Sequence, residues 1–386
     1  MIEFRLPFLS RGFGFAGAAR RALLVASVLA SGMPASADAG AAAESASRRE
    51  AYREAVVRVK TAFHLPGVVA GVWIPGKKPW KIAEGLGDVA NGTPIGLHDS
   101  FPIRSVTKSY TVTLILQLAR SKEISLDDPI GKYVANLGGL SAVTLAQLAA
   151  MESGIKSYSD TECFLSQLQA NPEKTWAPRE LVDCVPGTLM WPPASQYDYS
   201  NTNTILLGMV VESVTQAPLA DTFRERLFAP LGIRNTSYPN DMDIPDPHPK
   251  PYLVDTTTGQ PEECPVVNLS AFGASGGMVT TLEDFHKWGK ALGDGRFVGR
   301  RLQKLRKEHS RQATDGPEYD RYGLGMGQLK GWWGHTGEGL GYQACTFYDP
   351  KTGGVICALV NSSQSGHNAA TEVFKALADV VHPPRG

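Results

Sequence analysis

Apolar and polar positions along this chain switch between a helical period and a strand period, and the switches mark out its elements. Tyr52, Ala55, Val56, Val59 and Phe63 recur at helical spacing, which predicts a helix over residues 42–63, ended by Pro66-Gly67. Val68–Ile74 is an uninterrupted apolar run and reads as a buried strand. The turn Pro75-Gly76-Lys77-Lys78 follows it, and Trp80–Gly87 returns as a second strand. Ser105 to about Arg120 is the clearest helix, with Val106, Tyr110, Val112, Leu114, Leu116 and Leu118 as its apolar surface. Thr144-Leu145-Ala146-Gln147 has the form of a capping box opening a short helix. Further helices are predicted around Cys163–Leu168, over Thr202–Thr215 and Pro218–Phe228, from Thr281 to about Leu292, and over His367–Val380. Short strands alternate with glycine-rich turns over 320–360, chiefly Leu340–Tyr348 and Val355–Val360.

This order implies an α+β fold. An antiparallel sheet is built from both ends of the chain and flanked by helices, with a mostly helical lobe inserted between. The expected division is 40–126 with 266–386 for the sheet subdomain and 127–265 for the helical one. The loop 239–263, rich in Pro, Asp and Thr, reads either as a wall over a cleft or as surface connection.

The N-terminal residues 1–39 differ from the rest. Arg5, Arg11, Arg20 and Arg21 precede an apolar segment from Ala22 to about Ala30. Small residues then offer cleavage after Ala37 or Ala39, the three-part pattern of a secretory signal. A secreted or periplasmic protein with no stable membrane span is therefore expected. Lys plus Arg and Asp plus Glu each number 38, so the balanced charge gives no support for a nucleic-acid partner. The five cysteines form no metal-binding spacing. Cys345 and Cys357 flank the turn Asp349–Gly354, and strands folding about residue 351 would set them opposite each other as a disulfide candidate. Cys163 and Cys184 are a second candidate pair, and the alternative is that all five are buried thiols.

The candidate chemistry begins at Phe101–Tyr110, F-P-I-R-S-V-T-K-S-Y. Ser105 and Lys108 at i and i+3 share one helical face. A serine hydroxyl needs a nearby base to attack a carbonyl, and burial can lower a lysine's pKa enough to make it that base. Alone, so short a pattern reads better as a capping serine and a surface lysine. Two later stretches change that reading: Tyr199-Ser200-Asn201 and His335-Thr336-Gly337. The histidines show no HExxH or other paired-ligand spacing, so neither a metal nor a cofactor is expected. The run Gly273-Ala274-Ser275-Gly276-Gly277 lacks phosphate-loop spacing and reads as close backbone approach beside a pocket.

Ser-Val-Thr-Lys, Tyr-Ser-Asn and His-Thr-Gly in this order resemble the three motifs of the serine β-lactamase and D-alanyl-D-alanine carboxypeptidase superfamily. Tyrosine in the second motif resembles the branch of class C β-lactamases, serine D-alanyl-D-alanine carboxypeptidases, D-aminopeptidases and related esterases. His-Thr-Gly looks more like the Streptomyces-type carboxypeptidase. The resemblance covers roughly residues 65–365.

It implies a β-lactamase/transpeptidase-like fold in which Ser105 becomes acylated and Lys108 with Tyr199 moves the proton. Asn201 would orient Lys108 and a substrate amide. His335, Thr336 and Gly337, on an edge strand, would engage a substrate carboxylate or carbonyl. The amides of Ser105 and Glu338 would form the oxyanion hole. The expected activity is that of a carboxypeptidase acting on small D-amino-acid peptides, including peptidoglycan stem peptides, with β-lactams as inhibitors. An esterase or D-amino-acid amidase, a β-lactamase, and a non-catalytic penicillin- or peptide-binding protein are the alternatives. Glu338 would repel a terminal carboxylate unless Arg321, on a neighbouring strand, offset it. Trp332-Trp333 reads either as a cleft wall or as core packing.

Overall fold

The computed structural model describes residues 37–364 and 366–384, with side chains from residue 45 onward. Most of the expected export signal, up to residue 36, lies outside the described residues. No helix among the described residues is long and apolar enough to cross a membrane.

The sheet has nine strands drawn from both ends of the chain. In chain order they are β1 (Gly67–Trp73), β2 (Trp80–Asp88), β3 (Thr93–Pro94), β4 (Arg311–Gln312), β5 (Arg321–Tyr322), β6 (Gly327–Leu329), β7 (Trp332–Gly339), β8 (Tyr342–Tyr348) and β9 (Val355–Val360). Their spatial order is β3-β2-β1-β9-β8-β7-β6-β5-β4, with every pairing antiparallel. β1 and β9, buried along their whole length, join the two ends of the chain at the centre. Such uninterrupted apolar strands need cover on both faces. Helices α1 (Ala37–Ala62) and α5 (Ala369–Val381) cover one face, packing Val56, Val373, Phe374 and Leu377 onto Val68, Phe347 and Ile356. The other face meets α2 (Thr107–Arg120) and α4 (Leu282–Asp294). Every residue of α2 from Thr107 to Leu116 is buried, as expected of a helix between a sheet and a helical lobe. The lobe's own central helix is α3 (Asn201–Thr215), which packs against α2.

The capping box at Thr144 forms as the sequence predicts. Two details differ. The segment 239–263 is not only loop: Tyr252–Val254 and Pro261–Glu263 pair, and the first also joins Ser362–Ser363 beside the main sheet. The expected Cys345–Cys357 disulfide is absent. The β8–β9 turn pairs Tyr348 with Val355, which sets Cys345 opposite Ala358 and Thr346 opposite Cys357. A one-residue offset puts side chains on opposite faces of the sheet. The Cys345 thiol donates to Ala370 O on one side, and Cys357 lies 3.2 Å from the Thr346 hydroxyl on the other. Cys163 and Cys184 are joined, with their Cα atoms 5.4 Å apart.

Candidate active site

Ser105 stands just ahead of α2, on the 3₁₀ turn Arg104–Val106. The turn is clamped from several sides. Phe101–Pro102 pairs with Val279–Thr280, Ile103 N donates to Met278 O at 2.9 Å, and Met278 N donates to the Thr107 hydroxyl at 3.1 Å. Arg104 takes the left-handed backbone conformation, φ +49°, which costs a residue bearing Cβ about 1–2 kcal/mol. Its guanidinium helps hold it there. Nε donates to Gly339 O at 2.9 Å and Nη2 to Leu340 O at 3.1 Å, while the group lies over the rings of Phe272 and Tyr342. Burial lowers its pKa to about 10, which leaves a cation beside the serine at neutral pH. Gly337 of β7 lies directly behind the turn. A Cβ there would stand 2.0 Å from Ile103 O and 3.1 Å from Ser105 N, so only glycine permits this approach.

Lys108 is fully buried, and burial holds its pKa well below that of a free lysine. Its Nζ is 2.9 Å from Ser105 Oγ and donates to Ser275 O, also at 2.9 Å. A carbonyl oxygen only accepts, so Ser275 takes one N–H, and once the amine is unprotonated its lone pair is left for the serine hydroxyl. The Tyr199 ring lies 5.0 Å from Nζ. Its buried hydroxyl makes no well-aligned hydrogen bond among the described residues. Burial, first, and Tyr319, second, push the phenol's pKa well up, and Ser105 opposes them as the smallest of three effects. The two hydroxyls are therefore neighbours without being aligned, and the phenol keeps its proton.

β7 sits inside the sheet, yet β6 pairs only with Trp332–Gly334, so the half from His335 to Gly339 has β8 on one side alone. Thr336 N donates to the Tyr319 hydroxyl at 2.8 Å, on the side away from β8. Strand alternation turns the Glu338 amide to that same open side. The Glu338 amide thus lies on the open side of β7, one residue past the Gly337 that packs against the Ser105 turn, which makes these two amides the candidate oxyanion hole.

His335 is wholly buried: Nδ1 lies 2.6 Å from Thr336 O, and Nε2 lies 3.0 Å from the Tyr322 hydroxyl. The carbonyl fixes the proton on Nδ1, so Nε2 accepts from Tyr322. Burial lowers the imidazole pKa to about 3, and the ring is neutral.

The structure brings Ser105, Lys108, Tyr199, Gly337 and the Glu338 amide together and changes the placement of the others. Asn201 does not reach Lys108; its side chain donates to the Ser159 hydroxyl at 2.8 Å, and Ser275 O serves the lysine instead. His335 and Thr336 are buried and bonded to tyrosines, so neither ring nor hydroxyl lines an open cleft. The Arg321 guanidinium is engaged by Ser310, through the hydroxyl at 3.1 Å and the carbonyl at 2.7 Å, and does not offset Glu338. The Glu338 side chain is exposed and accepts from Gln343 Nε2 at 3.1 Å. Trp332 and Trp333 are core residues on opposite faces of the sheet.

Sequence reasoning missed Arg104, Tyr319 and Tyr322. Arg104 had a signal, a cation inside the apolar run from Phe101 to Val106. The tyrosines had none, because they lie outside the three motifs and reach the site only through the pairing of β5 with β6 and of β6 with β7.

Together the serine–lysine pair, the tyrosine with its buried hydroxyl and the amides of Ser105 and Glu338 make this a candidate active-serine site. The chain belongs to the Beta-lactamase family, whose profile matches residues 53–379, within the serine hydrolase superfamily. It is 25% identical to penicillin-binding protein 4 of Amycolatopsis lactamdurans over 84% of this chain and 88% of that protein. It is 27% identical to the D-aminopeptidase of Brucella anthropi over 61% of this chain, and spans 44% of that longer protein. A D-stereospecific amidohydrolase structure from Streptomyces sp. superposes with a TM-score of 0.74 at 27% identity, covering 85% of this chain and 98% of that one.

Proposed function

We propose that the protein hydrolyses small D-amino-acid amides through an acyl-enzyme on Ser105. The observation that carries the chemistry is the 2.9 Å contact between Ser105 Oγ and a buried lysine whose other bond goes to a carbonyl. Neutral Lys108 takes the serine proton as Oγ attacks the substrate carbonyl. The amides of Ser105 and Glu338 receive the developing oxyanion. Tyr199, still a phenol, gives its proton to the leaving nitrogen and recovers one from Lys108. Water then enters by the reverse proton path and frees the acid.

The charge around the second motif supports an amine-bearing substrate. Asp198 precedes Tyr199. Asp160 accepts from Ser159, the partner of Asn201. Asp315 adjoins Gly316, where a Cβ would stand 2.7 Å from Tyr199 Cβ. None of the three carboxylates has an ion-pair partner among the described residues. Such a mouth attracts a free α-ammonium and disfavours a terminal carboxylate. This sets the amidase reading ahead of the carboxypeptidase one, and the D-aminopeptidase and D-stereospecific amidohydrolase among the relatives support it. β-Lactams are expected to acylate the same serine. The N-terminal signal pattern and the Cys163–Cys184 disulfide support an exported protein.

The test is hydrolysis of D- and L-phenylalanine amide by the wild type and Ser105→Ala. Turnover of the D-amide that disappears in the variant supports the reading. Preference for the L-amide, or turnover that survives the substitution, overturns it.

A further inference from the structure

Where β6 stops, the next position along the free edge of β7 is taken by a side chain. The Tyr319 hydroxyl accepts from Thr336 N at 2.8 Å and lies 2.8 Å from Thr336 Oγ1. Its place is built in. The ring is buried against Gly327, where a Cβ would stand 2.2 Å from Tyr319 Cδ1. The direction of each bond follows from its partners. His335 Nδ1 carries a proton, because its 2.6 Å partner is Thr336 O. At 3.2 Å from Tyr319 Oη it offers that hydroxyl no acceptor. The Tyr319 proton therefore goes to Thr336 Oγ1. Thr336 thus has its amide, its carbonyl and an acceptor position of its hydroxyl all engaged within the protein, and it is 2% exposed.

The end of β7 at which this occurs is fixed by the proton donor. Tyr199 meets Tyr322 edge to face, with centroids 6.1 Å apart, and Tyr322 bonds His335. A leaving group that takes its proton from Tyr199 lies at this end. The acyl portion points the other way, toward Gly339 and Arg104. We propose that Tyr319 is a specificity-determining residue: by closing the Thr336 edge, it restricts the enzyme to small uncharged leaving groups. Ammonia from a primary amide or an alcohol from a simple ester fits there. A departing amino acid whose carboxylate needs the Thr336 amide finds that donor engaged by Tyr319. This inference rests on the acyl-enzyme reading above and adds the leaving-group class to it.

The test compares D-phenylalanine amide with D-phenylalanyl-D-alanine, which share an acyl group and differ only in the leaving group. The wild type is expected to favour the amide. Tyr319→Phe removes the hydroxyl and frees the Thr336 amide, so kcat/KM for the dipeptide relative to the amide should rise about tenfold. Thermal melting and labelling of Ser105 by an activated ester establish that the variant is assembled. Tyr319→Leu opens the same edge if the phenylalanine variant does not fold. An unchanged ratio in a folded, labelled variant overturns the proposal, as does a wild type that prefers the dipeptide. If the wild type is labelled at Ser105 yet hydrolyses neither substrate, the substrate reading falls with it. If amide hydrolysis is normal and only the ratio fails to move, the Tyr319 inference alone is lost.

Discussion

Replacing Gly337 with alanine tests the closest approach in the site. The added Cβ would lie 2.0 Å from Ile103 O, 3.0 Å from Ile103 C and 3.1 Å from Ser105 N. A carbon–oxygen contact settles near 3.3–3.6 Å, so strand and turn must separate by about 1.3 Å. Both neighbours are backbone, and neither can swing aside as a side chain would. Ile103 O also accepts from Val106 N at 3.2 Å, the bond that closes the turn carrying Ser105. The separation opens the gap between the Ser105 and Glu338 amides. A misplacement of about 1 Å typically costs on the order of a hundredfold in rate. Overpacking costs about 1–3 kcal/mol in stability. The assay is the rate of Ser105 acylation by an activated ester in stopped flow, beside urea unfolding. Gly187→Ala is the control, since a Cβ at Gly187 meets nothing within 4 Å. Acylation by Gly337→Ala within about twofold of the wild-type rate would refute the geometry of the oxyanion hole.

Three other variants probe separate parts of the molecule. Lys108→Met should cut acylation by about a hundredfold or more, the usual scale for loss of a general base, while circular dichroism stays native. Because burial depresses the Lys108 pKa, the rise of kcat/KM with pH should be complete well below the pH at which free lysine titrates. His335, with its pKa lowered to about 3, stays neutral in the folded state while the unfolded chain takes up a proton below about pH 6.5. Stability should therefore fall as pH drops through that window, by about 3 kcal/mol between pH 6.5 and 4 from this residue. His335→Gln should flatten that slope in urea titrations, and an unchanged slope counts against the burial argument. Breaking the Cys163–Cys184 link, which closes 21 residues, should cost about 3 kcal/mol, read as a shift in the urea midpoint of Cys163→Ala/Cys184→Ala.

Local pattern carried much of the fold. The helix behind Ser105, the strands on either side of the β8–β9 turn and the capping box at Thr144 each announce themselves within about ten residues. Pairing register did not. Cys345 and Cys357 looked opposed, but the turn between them sets the register one residue away, and no local signal states which residues close a turn. The same limit held at the site. Ser105, Lys108 and Tyr199 were legible because their types are rare in that order. Asn201 was read as the partner of Lys108, whereas the partner is the Ser275 carbonyl, and a backbone acceptor leaves no mark in residue identity. Thr336 looked like a substrate contact until the folded chain brought Tyr319 onto its amide.

The proposed chemistry requires that Ser105 form a covalent acyl intermediate. Intact-protein mass spectrometry after brief exposure to an activated ester and to benzylpenicillin, followed by peptide mapping, tests it most directly. One acyl group per chain is expected on the peptide containing Ser105, and none on Ser105→Ala. A wild-type protein that carries no adduct with either reagent, or carries it on another residue, would rule out Ser105 as the nucleophile.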